Sequence, residues 1–222
     1  MPYNTMEALS AQLIILATTK VGEKSLVVHT LSSDFGRRSF LLGVGRSTPS
    51  GLLQPLSIVD AEIVPNPRSE LWRAHALSTS FPLTSLRTEA GKSAIVMFLS
   101  EVLFRAVREG TYEEGLYEWC RASILTLDSL EGDWANFHLV FLLELAAAMG
   151  FAATLADLVP FSEGCLAQMK ALVQTPRAEA LLLPMNGRER SAVASALLDY
   201  LSFHTESRIN VRSLKVLGEI LR

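Results

Sequence analysis

From Ala11 to Ser80 apolar and polar residues alternate, β-branched side chains are frequent, and Gly, Asp and Pro cut the pattern into short runs. This confines the stretch to short antiparallel strands joined by tight turns. Residues Ala11–Thr18 (AQLIILAT) and Ser25–Leu31 (SLVVHTL) flank the turn Lys20-Val21-Gly22-Glu23-Lys24. Ser32-Ser33-Asp34-Phe35-Gly36 supplies the next turn, with Gly36 free to take a positive φ, and Arg37–Val44 returns as a third strand. A polar loop over Gly45–Gly51 leads to a fourth strand within Leu52–Val64, where Pro55 belongs at the edge or entry. Pro65-Asn66-Pro67 then turns the chain into a fifth strand over Leu71–Ser80. Five strands in about eighty residues predict a small closed β-barrel over residues 1–82. An SH3-like barrel or a sandwich fragment meets the same strand count.

After Phe81-Pro82 the hydrophobic period changes. Between Leu86 and Glu109 the residues Ile95, Phe98, Leu99, Val102, Leu103 and Ala106 recur at helical spacing, and Gly110 ends the run. Similar patterns cover Tyr112–Leu130, Trp134–Met149, Arg188–His204 and Val211–Leu221. The expected fold class is therefore α+β, a five-stranded barrel followed by a helical bundle over 83–222, with an irregular segment near 150–185.

Composition removes several functions. No run of about 18 uncharged apolar residues occurs, so no membrane span is expected. The first residues lack a basic stretch followed by an apolar core, and the expected location is cytoplasmic. Cys120 and Cys165 are the only cysteines, and the four histidines (His29, His75, His138, His204) are dispersed. No metal and no other cofactor is expected from them, and the thiols are expected to be free and buried. The net charge of −3 hides an asymmetry: residues 1–83 carry seven Lys/Arg against six Asp/Glu, 84–196 nine against fourteen, and 197–222 four against three. Any polyanion binding must rest on local clustering.

Such a cluster exists between residues 20 and 46. Lys20 and Lys24 flank one turn, Arg37 and Arg38 begin the next strand, and Arg46 opens the following loop. Short barrel connections can bring these five charges to one rim, where each neutralises a phosphate. Four or five contacts predict log K falling against log salt with a slope of about −3 to −4.5. Phe35, with His29 and Phe40, lies beside them and offers rings for stacking on unpaired bases. Core packing is the competing role for the aromatics, above all for Phe40, and a solvated surface is the competing role for the charges. Gly43-Val44-Gly45 lacks the longer glycine pattern and Lys-Ser/Thr ending of a phosphate loop and reads as a tight turn.

In the helical part, Arg105 and Arg108 lie near Phe104, and Arg121 lies beyond Trp119. Together they offer an apolar pocket ringed by guanidinium groups, suited to an acidic peptide ending in Phe. Arg212 and Lys215 on the last helix join that pocket or touch DNA. The plainer role for these residues is core packing for Trp119 and Phe104, with the arginines solvated or paired to Glu101, Glu109 and Glu118. No carboxylate pair, nucleophile elbow or base beside Cys165 points to catalysis. A non-enzymatic protein is expected, either a binder of single strands or a protein–protein adaptor whose barrel leaves nucleic acid alone.

Two stretches carry a resemblance. Lys24-Ser25-Leu26-Val27-Val28, Thr30, Gly36, Gly43-Val44-Gly45-Arg46 and Gly51-Leu52-Leu53-Gln54-Pro55-Leu56 resemble the N-terminal domain of the bacterial recombination mediator family RecO. Leu197–His204 followed by Arg212-Ser213-Leu214-Lys215-Val216-Leu217 is similar to that family's C-terminal helices. The resemblance implies an OB-fold joined to a helical domain, and a role in DNA repair and recombination near the nucleoid. It implies binding and annealing of single-stranded DNA, engagement of the acidic tail of single-stranded-DNA-binding protein (SSB), and joining RecR to load recombinase. Many family members carry a Cys cluster for zinc after the position of Gly150; Phe151–Met169 keeps only Cys165 here, so that metal is not carried over.

Overall fold

The computed structural model describes residues 8–43, 45 and 50–221. Five strands form a closed barrel: β1 (Leu9–Lys20), β2 (Ser25–Ser32), β3 (Gly36–Gly43), β4 (Ile58–Val64) and β5 (Trp72–Thr79), in the order β1-β2-β3-β5-β4. All neighbours are antiparallel except β3 and β5, which pair in parallel through Phe40–Trp72, Leu41–Arg73 and Leu42–Ala74. That closure gives the OB-like barrel predicted from the strand pattern.

Closure depends on the length of β1. Its first half pairs with β4 from Leu9–Ile63 to Ile14–Ile58, and its second half pairs with β2 from Leu13–Ser32 to Lys20–Leu26. A bulge between Ile15 and Ala17 lets one strand serve both sheets by bending it. The backbone that the bulge frees is used at once, since Ile15 donates to Ser57 O at 2.9 Å and Leu56 donates to Ile15 O at 2.7 Å. Alternate residues Leu13, Ile15, Val28, Phe40, Leu42, Val59, Ala61, Ile63 and Ala74 fill the interior. The expected fourth strand is shorter than the apolar run that suggested it. Ser50–Leu53 is a 3-10 turn whose Leu52 plugs the core, and pairing starts only at Ile58. Pro55 has no N–H to give a ladder, and Leu56 sits at φ 56°, so the chain turns there.

The helices are α1 (Thr84–Thr88), α2 (Ala90–Ala106), α3 (Leu116–Ser129), α4 (Phe137–Ala148), α5 (Leu155–Leu158), α6 (Leu166–Gln174), α7 (Arg177–Ala180), α8 (Gly187–His204) and α9 (Ser213–Ile220). The stretch expected as one helix from Leu86 is broken at Glu89, which is extended, and ends at Ala106. The segment 150–185, expected to be irregular, holds α5, α6, α7 and a 3-10 turn at Val159–Phe161. Thr154 and Asp157 form a capping box that starts α5. Helix α4 is apolar on nearly every side and eight of its residues are buried. Lys92 of α2 is fully buried, and its ammonium donates to Ser85 Oγ at 2.7 Å and to the carbonyls of Asp128 and Leu130, which closes the end of α3.

The chain divides into two compact units: Met1–Pro82 with Val107–Arg121, and Leu83–Ala106 with Ala122–Arg222. The sequence pattern suggested one break, at residue 82; the segment 107–121 instead belongs with the barrel.

Candidate nucleic-acid interface

The outer face of β2, β3 and β5 has two halves. On one half, Arg37, Ser39 and His29 point outward and are covered by residues 109–111 of the same unit. Arg37 N donates to Thr111 O at 2.9 Å and Gly110 N donates to Arg37 O at 2.8 Å, so the strap continues the ladder where β5 does not reach. The Glu109 carboxylate accepts from Ser39 N at 2.6 Å and from Ser39 Oγ at 3.1 Å, and meets the Arg37 guanidinium at 2.7 Å. His29 Nδ1 lies 2.7 Å from Ser39 Oγ, and its Nε2 lies 3.0 Å from Thr19 Oγ1. With the Ser39 proton given to Glu109, Nδ1 of His29 carries the hydrogen and Nε2 accepts from Thr19. Burial, helped by the Arg37 charge, holds this imidazole below its usual pKa against the pull of Glu109.

The other half is open. The β1–β2 turn leaves Lys20 and Lys24 exposed, and Gly22 adopts φ 73° there to make the turn. Across the sheet, Leu41 pairs with Arg73 and Arg73 with Val64. The β4–β5 loop folds over this edge, shaped by the Asn66 side chain accepting from Arg68 N at 3.1 Å and by Ser69 bonds to Leu71. A pocket of about 380 Å³ lies between Leu41, Val64, Pro65, Asn66, Ser69, Leu71 and Arg73. Three ladder steps, through Leu41 and Val27, separate Arg73 from Thr19, the residue before Lys20, by about 14 Å along the barrel wall. The exposed side chains of Lys20, Lys24, Arg68 and Arg73 make no ion pair with a described residue.

The sequence-derived DNA set is thus divided. Lys20 and Lys24 are together at the open hairpin end. Arg37 is only 3% exposed and is bound to Glu109, so it secures the strap instead of facing solvent. Arg38, one residue on, points to the barrel mouth: its guanidinium lies 3.6 Å from the Trp72 ring centroid and donates to Glu70 O at 3.2 Å. Phe35 packs edge-on against Phe40 and Trp72 at 6.2 and 5.4 Å, on the border of the core. Arg46 and Val44 lie outside the described residues. Arg68 and Arg73 were missed, because they stand apart from the basic cluster in sequence and reach it only through the parallel β3–β5 pairing.

The sequence-derived partner set is divided as well. Arg108 and Arg121 belong to the barrel unit, while Phe104, Arg105, Arg212 and Lys215 belong to the helical unit. Arg121 is engaged by Glu118 at 2.9 Å and lies 5.8 Å from the Phe81 ring centroid. Arg105 pairs with Glu101 at 3.2 Å, one turn away on α2. The same carboxylate accepts from the backbone N–H groups of Arg212 and Ser213 at 3.1 and 3.0 Å and so caps α9; these bonds hold Glu101 below the usual carboxylate range despite its burial. Within the helical unit a different cavity is open, about 1120 Å³ between α8 and α9, lined by Asn186, Gly187, Arg188, Ser191, Val211, Leu214, Lys215 and Gly218. Lys215 is the residue of the expected set that borders it.

Residues 6–80 match the family described as Recombination protein O N terminal, and residues 87–159 match Recombination protein O C terminal. The DNA repair protein RecO of Christiangramia forsetii is 30% identical over 233 residues, covering 93% of this chain and 96% of that protein. The chain belongs to the RecO family. RecO of Flavobacterium johnsoniae is 27% identical over 96% of this chain and 98% of its own length. RecO of Bacteroides fragilis is 37% identical over 148 residues, and there the match spans 61% of that protein. The N-terminal match of this RecO-family chain coincides with the OB-like barrel. Cys120 and Cys165 are free and buried, and no group of metal-ligating side chains occurs among the described residues. None of the described helices is long and apolar enough to cross a membrane.

Proposed function

We propose that the protein is a non-enzymatic recombination mediator whose barrel binds single-stranded DNA along the open half of its outer face. The observation that carries this reading is the pocket between β3 and the β4–β5 loop, bordered by Arg73, with Arg68 exposed on that loop and Lys20 and Lys24 exposed at the β1–β2 hairpin end. In OB barrels the face of strands 2 and 3 with the β1–β2 and β4–β5 loops is where oligonucleotides bind. The partly buried Val27 and Leu41 give that face an apolar floor. Charge neutralisation by these side chains lowers the repulsion between two phosphate chains, and base pairing then drives annealing without any bond being made. Recruitment rests on the helical unit. An acidic SSB tail fits the α8–α9 cavity, its apolar end on Val211 and Leu214 and its carboxylates toward Arg188 and Lys215. Partnership with RecR and recombinase loading, at the nucleoid in the cytoplasm, complete the reading.

A salt titration with a labelled dT oligonucleotide tests it. Phosphate contacts by these four side chains contribute about −2.8 to the slope of log K against log salt for a single strand, and each alanine at Lys20, Lys24, Arg68 or Arg73 removes about 0.7. Absence of binding at low salt, or a slope that ignores all four substitutions, leaves the adaptor reading in its place.

A further inference from the structure

Arg38 is in an unusual position for a cation on a DNA-binding barrel. It shares the inward side of β3 with Phe40 and Leu42, yet it stands beyond them at the mouth, where its guanidinium carbon lies over the ring of the partly buried Trp72, 3.6 Å from the centroid. One bond, to Glu70 O at 3.2 Å, ties it to the β4–β5 loop. Its Nε is buried and has no hydrogen-bond partner among the described residues. A buried donor without an acceptor carries a desolvation cost that is recovered when the group moves to water or to a phosphate. The tryptophan is held from the side by the edge of Phe35 at 5.4 Å, so the ring keeps its orientation when the guanidinium leaves. The residue next to it, Arg73, points to the opposite, outer face and borders the proposed DNA pocket, so the tryptophan stands at the mouth, on the other side of the same strand.

We infer that Trp72 is a nucleobase-stacking site that Arg38 occupies in the free protein. An unpaired base replaces the guanidinium on the ring, and the displaced Arg38 moves to an adjoining phosphate. Both contacts exchange like for like: a planar cation over an aromatic face gives way to a planar base over the same face, and a carbonyl acceptor gives way to a charged one. Such a site takes any base, because every base has a π-face, and it rejects paired bases, whose faces are already covered. The inference deepens the single-strand reading above and rests on it.

The experiment uses the full chain with two probes of equal length, about a dozen nucleotides: a dT oligonucleotide and its abasic counterpart. The dT probe is expected to quench tryptophan fluorescence and the abasic probe to leave it unchanged, with most of the quench absent in Trp72→Phe. Trp72→Leu is expected to weaken dT binding by about 5- to 100-fold while abasic binding stays the same. Arg38→Ala is expected to keep the base-dependent quench and to flatten the salt slope by about 0.7. Equal binding and equal quenching by the two probes overturns the stacking site, as does an equal loss for both probes in Trp72→Leu. An unchanged salt slope in Arg38→Ala overturns the transfer to phosphate. Should Trp72→Leu not fold, the comparison of dT with abasic DNA on the unaltered protein decides alone. Failure of both probes to bind at low salt removes the single-strand reading itself, a result distinct from base-independent binding.

Discussion

Neighbouring arginines on β3 have opposite assignments because strand residues alternate between faces. Arg37 faces outward, and a segment from seventy residues later brings Glu109 over it; Arg38 faces the barrel mouth and meets Trp72. Arg37→Ala is therefore expected to act on stability, by about 1–3 kcal/mol because Glu109 remains half exposed to water. Lys24→Ala is expected to change stability by less than about 0.5 kcal/mol and to weaken oligonucleotide binding. Urea unfolding beside a binding titration separates the two. A second residue sets the acid limit of the fold. His138 on α4 is buried against Phe98, and desolvation, with the Arg190 charge, lowers its pKa to about 3 although its ring donates to the Ala135 carbonyl. The unfolded chain, with an ordinary imidazole near 6.5, then binds the extra proton between those two values. The stability that neutral His138 permits is full above about pH 6.5 and is lost as the pH falls toward 3. Unfolding free energy measured at pH 7.5 and 5 is expected to drop, and His138→Gln is expected to shrink the drop.

At the scale of elements, the strap decides how the barrel closes. Gly36 opens β3 at φ 60°, and a Cβ there would lie 2.1 Å from Thr111 O. Gly36→Ala is expected to cost about 2–4 kcal/mol through clash and backbone strain. The accompanying signature is faster amide exchange at Arg37 and Gly110, the two donors of the strap. The strands themselves were legible, because short β-branched and apolar runs such as Leu13–Leu16 and Leu26–Val28 are bounded by the turns at Gly22 and Gly36. Lys20 and Lys24 were legible as flanks of a tight turn. The pairing of β3 with β5 left no local mark, so Arg73 and Arg68 could not be joined to them from the pattern. Leu52 and Leu53 looked like strand because a plug and a ladder are equally apolar. Glu109 over Arg37 was hidden for the same reason as Arg73: the contact is long-range and the residues around it are ordinary helix-exit residues.

For the whole molecule, the two functions proposed for it involve separate compact units, each with its own cations. DNA contacts are proposed on the unit built from 1–82 and 107–121, and the acidic-tail cavity on the unit built from 83–106 and 122–222. A Phe-terminated acidic peptide is expected to lose about 5- to 20-fold in affinity in Arg188→Ala/Lys215→Ala. Fluorescence anisotropy of the labelled peptide checks this, and the same double variant is expected to bind dT as the parent does. The return of residues 107–121 to the barrel also sets an order of assembly. A nascent chain that has emerged only as far as Pro82 has every strand but lacks the acid that neutralises Arg37 and the backbone that seals the free edge of β3. Ribosome-bound intermediates would thus hold an unfinished, sticky margin until α1, α2 and the strap follow, which makes the first two helices of the second body a necessary step in completing the first.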